Sequence, residues 1–130
     1  MTSQPLHPTP QTSAMADRYA HAVRVFEMGA YREAALELAA LVDASALEPP
    51  LHRTTELRLY LARSYYHSAQ LRRAEETVRA LLVDEPHEHY ALLLLGRTLQ
   101  RGGRHEEARP HLAMAKLLGG YDIEGPELTG

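Results

Sequence analysis

Leu61-Ala62-Arg63-Ser64-Tyr65 is followed nine residues later by Ala74 and twelve after that by Pro86. Moving 34 residues on, the same order returns as Leu95-Gly96-Arg97-Thr98-Leu99, then Ala108, then Gly120 where the proline stood. A fixed period of this length marks a helical array, in which each unit buries its apolar face against its neighbours. The expected fold class is therefore all-α.

Working outward from this pair, helical signals fill the chain. Met15, Tyr19, Ala22, Val23 and Phe26 recur at helical spacing after Ser13, which can cap a helix beginning at Ala14. Gly29 should end that helix, because glycine enters a left-handed C-terminal turn without steric cost. A second helix follows from about Tyr31 through Ala34, Leu38, Leu41 and Val42. Residues 43–50 are looser and end in a double proline, so Pro50 is expected to open the third helix, which runs to about His67. The fourth spans roughly Leu71 to Val83 and stops before Pro86. The fifth runs from near His87 to Gly102-Gly103, and the sixth from near His105 to Gly119-Gly120. Pro110 falls inside the sixth, where it cannot donate to the Glu106 carbonyl, and a mild kink is expected. Residues 1–13, with three prolines and no apolar period, read as a flexible tail, and residues 121–130 as a short C-terminal tail.

Composition narrows the function classes. The 130 residues suit one compact domain, and an apolar content of 45% argues against wholesale disorder. The net charge of −3, with no continuous basic stripe, argues against nucleic acid and anionic membranes as partners. There is no cysteine, which removes disulfides, thiolate metal sites and cysteine nucleophiles. The N-terminus lacks the basic start and apolar run of a secretory signal, and no stretch approaches the roughly 20 apolar residues of a membrane span. The expected location is cytoplasmic.

Side by side, the units resemble the tetratricopeptide repeat, a helix–turn–helix with small residues where helices approach closely and large ones beside them. The last unit matches best, with Leu92, Leu95, Gly96 and Leu99, then Ala108, Leu112 and Ala115. The middle one supplies Leu61, Ala62 and Tyr65, then Ala74, Val78, Leu81 and Pro86. The first offers Ala22 and Val25, the turn Gly29-Ala30-Tyr31-Arg32-Glu33-Ala34, then Leu38 and Leu41. The resemblance covers residues 14–120, as repeats near 15–48, 55–88 and 89–120, with an insertion within 43–51. It implies a right-handed superhelix whose first helices line a concave groove. Two departures stand out: Arg18, Arg58 and Leu92 replace the large aromatic expected early in each first helix, and no polar closing helix follows the last repeat.

By that resemblance the groove holds a peptide or helix of another protein. Its partner-binding residues would be Tyr19, Val23, Phe26, Leu59, Arg63, Tyr66, Leu93, Arg97 and Arg101. Arg63 and Arg97 are one repeat apart, and stacked guanidiniums suit a carboxylate or acidic side chain on the partner. The bland reading makes these arginines solvated covers over helix stems. The family's Lys- and Asn-based carboxylate clamp is missing: the only lysine is Lys116, and there is no asparagine.

Two other readings compete. Without a closing helix, Met114, Leu117 and Leu118, with Tyr121 and Ile123 beyond, would face water and could mediate homodimerisation, unless the C-terminal tail folds over them. Alternatively the chain is a scaffold or regulatory subunit of a larger complex. Catalysis finds no foothold. His87 and His89 flank a turn and His105 and His111 are six apart, neither a metal-ligand spacing. Glu75-Glu76 and Glu106-Glu107 sit in first turns, where carboxylates favour the helix dipole. No cofactor, metal or catalytic residue is expected.

Overall fold

The computed structural model describes residues 10–45 and 54–124. They form six helices and, among the described residues, no strand: α1 (Pro10–Glu27), α2 (Tyr31–Ser45), α3 (Thr54–His67), α4 (Leu71–Asp84), α5 (His89–Arg101) and α6 (His105–Gly119). The all-α expectation holds, and the chain has a tetratricopeptide-like helical-repeat fold. Two boundaries differ from expectation. Helix α1 starts at Pro10 instead of Ala14; a proline at a first helical position presets φ and lacks an N–H that would go unpaired there anyway. Helix α5 starts at His89, because the Glu88 carboxylate accepts from the Ala91 N–H at 2.7 Å and caps it. Pro50 and most of the expected insertion lie outside the described residues, as do residues 1–9 and 125–130. Helix α6 runs uninterrupted through Pro110.

The three helical hairpins turn in the same way. Gly29, Ala69 and Gly103 all have positive φ, at 84°, 62° and 82°. Each is followed by an N–H that reaches back five residues: Ala30 to Val25, Gln70 to Tyr65 and Arg104 to Leu99. This is the Schellman closure, which satisfies carbonyls that the helix end would otherwise orphan. Ala69 makes the turn with a Cβ, at a steric cost that glycine avoids at the other two.

Within each hairpin a small residue faces a larger one 16 positions on: Ala22 and Leu38, Ala62 and Val78, Gly96 and Leu112. All six are buried. In the last pair a Cβ on Gly96 would come within 2.4 Å of Leu112 Cδ2. Buried hydroxyls repeat as well. Ser64 Oγ donates to the Tyr60 carbonyl at 2.8 Å, and Thr98 Oγ1 to the Leu94 carbonyl at 2.7 Å, so neither is left unpaired in the core.

Helix α3 packs on both α1 and α5 as well as on its chain neighbours, whereas the backbones of α2, α4 and α6 do not approach one another. The stack therefore curves with α1, α3 and α5 on its inner side. Two core clusters meet along α3. Leu57 and Leu61 join α1 and α2 through Phe26, Leu38 and Leu41. Ala62 and Tyr66 join α4, α5 and α6 through Val78, Leu81, Leu95, Leu99 and Leu112. On the outside, Arg104 grips Glu75 with both terminal nitrogens, at 2.6 and 3.2 Å, tying the start of α6 to α4. The Arg104 hydrogen bond is the main cause holding the Glu75 carboxyl below its ordinary range.

Candidate functional site: the inner faces of α1, α3 and α5

The inner side is built on aromatic rings and arginines. The Arg63 guanidinium, half-buried on α3, lies over three rings: Phe26 of α1 at 4.7 Å, Tyr60 of α3 at 5.2 Å and Tyr90 of α5 at 5.8 Å. Around it, Phe26 meets Tyr31 and Tyr60 edge-on at 5.2 and 5.3 Å, and Tyr19 meets Tyr60 at 6.2 Å. A flat, weakly hydrated guanidinium stacks on such faces as an ammonium would not. One side chain thus joins all three repeats.

His67 closes the lower end of this cluster, stacked on Tyr31 at 4.7 Å and edge-on to Phe26 and Tyr66. Burial pushes its pKa down, and the charges of Arg63 and Arg101 push it further the same way. Burial raises the Tyr90 phenol, with Arg63 opposing. Arg101 is exposed, and its guanidinium is held by Tyr66. It donates to the Tyr66 carbonyl at 2.6 Å and lies over the Tyr66 ring at 4.9 Å. That carbonyl belongs to the last turn of α3, so Arg101 serves as a cationic cap from the next repeat.

Arg97 occupies the position equivalent to Arg63 but is only 5% exposed. Its Nη1 donates to Gln100 Oε1 at 2.9 Å and its Nη2 to the Asp122 carbonyl at 3.2 Å. Its Nε is buried without a hydrogen-bond partner, and no carboxylate pairs with it among the described residues. The chain beyond α6 covers it. Gly120 makes a left-handed turn, after which Tyr121 lies against His89 and Tyr90, its hydroxyl 2.8 Å from His89 Nδ1. Tyr121 and Ile123 pack on the second core cluster.

The sequence-derived site therefore divides. Tyr19, Val23, Leu59 and Arg63 lie on the inner side and are partly exposed. Phe26, Tyr66, Leu93 and Arg97 are buried, so these four do not present the open partner-binding surface that the resemblance implied for them. Phe26 is roofed by Arg63, Tyr66 belongs to the α3–α6 core, and Arg97 lies beneath residue 122. Tyr121 and Ile123, expected either to face water or to fold back over the open end, pack on the second core cluster, with Tyr121 against α5. Met114, Leu117 and Leu118 do remain exposed, at 41%, 78% and 43%. Tyr31 was not anticipated in the aromatic cluster; its place directly after the glycine turn was the available signal. Shallow depressions occur elsewhere, one lined by Asp17, His21, Leu36 and Glu37 between α1 and α2. Among the described residues no acidic or histidine cluster could hold a metal, and no helix is long and apolar enough to cross a membrane.

No family model and no curated protein matches the sequence. Among solved structures, the chain is similar to the type III secretion translocator chaperone SycD of Yersinia enterocolitica. The TM-score is 0.69 at 20% identity, over 82% of this chain and 75% of that one. At that identity the likeness establishes the fold alone.

Proposed function

We propose that this chain is a non-catalytic protein-binding module that holds a segment of another protein against the inner faces of α1, α3 and α5. The observation that carries the reading is the Arg63 cluster. A partly exposed cation is fixed over rings from three successive inner helices, a rigid mix of aromatic surface and charge of the kind that anchors binding hot spots. Tyr19, Val23 and Leu59 extend it as apolar contacts. The partner segment carries an acidic group, which the cation selects. The shared fold supports a chaperone or adaptor role, since the Yersinia protein is described as a translocator chaperone. A cytoplasmic setting is part of this proposal.

The test is selection from a random peptide library on wild-type protein and on Arg63→Glu, both checked for helix by circular dichroism. Acidic sequences enriched on the wild type and lost on the variant support the reading. Equal enrichment on both contradicts it. A second reading, a homodimer joined through α6, is favoured by the exposure of Met114, Leu117 and Leu118; light scattering on Leu117→Glu separates it from the first.

A further inference from the structure

Arg97 poses a physical question that the fold leaves open. A guanidinium 5% exposed sits where desolvation is costly, yet its recorded partners are a side-chain amide oxygen and a backbone carbonyl, both neutral, and its Nε has none. A leucine or methionine would fill the same space without that cost. The group covering it is also unusual. Residues 121–124, Tyr-Asp-Ile-Glu, leave α6 through a left-handed glycine and lie on α5 with the features of a bound peptide. The tyrosine is seated against His89 and Tyr90, a main-chain carbonyl is received by Arg97, and an aliphatic side chain rests on the core. The contact is local, made directly after α6, and Tyr121 and Ile123 stay partly exposed while Asp122 and Glu124 are exposed.

We propose that the inner face of α5 around Arg97 is a subsite for an acidic peptide, and that residues 121–124 occupy it as an intramolecular ligand which an incoming segment displaces. This rests on the inner-face reading above and adds the third repeat to it. Charge favours the assignment: residues 121–130 contain Asp122, Glu124 and Glu127 and no basic residue. A tethered segment competes at an effective concentration near millimolar, so even a weak cis contact holds off a micromolar ligand. Access to the third repeat is thereby set by the segment that follows α6.

The probe is an acetylated, fluorescent peptide of residues 121–130, titrated into the full-length wild type and full-length Tyr121→Ala/Ile123→Asp. The released variant is expected to bind it about 10-fold more tightly than the wild type, from the loss of tethered competition. Adding Arg97→Met to the variant should abolish the gain. Equal affinity of wild type and variant, or no binding by a folded variant, overturns the proposal. If the double variant loses its helical spectrum, Ile123→Ser alone carries the same comparison and the same criteria. Peptides from the library selection distinguish the two failures. If they still bind through Arg63 while the 121–130 peptide shows no difference, only the role of the tail falls; if neither binds, the inner-face reading falls with it.

Discussion

The hairpins α3–α4 and α5–α6 are copies of one plan set 34 residues apart, and they diverge at matching positions. Where α3 has Ala62 against Val78, α5 has Gly96 against Leu112. Ala69 turns the first hairpin and Gly103 the second. His67 stands in the aromatic cluster where its counterpart, Arg101, caps a helix. Arg63 rests half-buried on rings, while Arg97 is buried under the following chain. A repeat fixes where a side chain starts; what lies over that position decides what the side chain does. After α6 the inner face of α5 is covered by residues 121–124, whereas that of α3 is covered by the next hairpin.

The arginines give the largest expected difference. Arg97→Glu buries a carboxylate facing the Gln100 and Asp122 oxygens, and should cost about 3 kcal/mol in urea unfolding. Arg63→Glu loses ring contacts at a partly exposed site and should cost about 1 kcal/mol. Equal losses would mean that the two positions are not differently covered.

The next effect is in the paired small and large residues. Gly96→Ala drives a Cβ into Leu112, whose Cγ lies 2.5 Å from the added atom, and should lose about 2 kcal/mol despite the gain in helix propensity. Leu112→Val in the same chain rebuilds the Ala62–Val78 pair and should recover most of that loss. A double variant no better than the single one would show that the two hairpins do not use this contact in the same way.

At the turns the expected sign reverses. Ala69→Gly relieves a left-handed alanine, φ 62°, and should stabilise the chain by about 0.5–1 kcal/mol. Gly103→Ala should do the opposite by a similar amount. Thermal midpoints of the two variants should therefore move apart.

Much of this was legible in the sequence. The 34-residue period gave the array, Gly29 and Gly103 gave two turns, and Leu95-Gly96 gave the tight helix contact. Ala69 was not legible as a turn residue, because nothing in an alanine announces positive φ; only its place, 34 residues before Gly103, does. The burial of Tyr66 and Arg97 was missed for a different reason. Helical phase says which way a side chain points and not what covers it. The cover over Arg97 is a four-residue segment with no period of its own. Tyr66 is in phase with the inner face, yet α5 and Arg101 close over it.

The smallest effect is on pH dependence. His67 has its pKa lowered in the folded chain, so the unfolded state binds its proton more readily. Its contribution is full above the ordinary histidine range and is lost as pH falls through the folded value. His111 is lowered too, by burial first and then by Arg79. The thermal midpoint should fall between pH 7 and pH 5 (the flank of the ordinary histidine pKa), and His67→Gln should flatten that fall only in part.

The most direct test of the central claim is to map, by backbone amide shifts, where a library-selected acidic peptide contacts the full-length protein. The shifts should concentrate on α1, α3 and α5, at Tyr19, Leu59, Arg63 and Tyr90, with residues 121–124 moving as the third repeat opens. Shifts confined to the outer face of α6, at Met114, Leu117 and Leu118, would contradict an inner binding face and leave the exposed end of the array as the working surface.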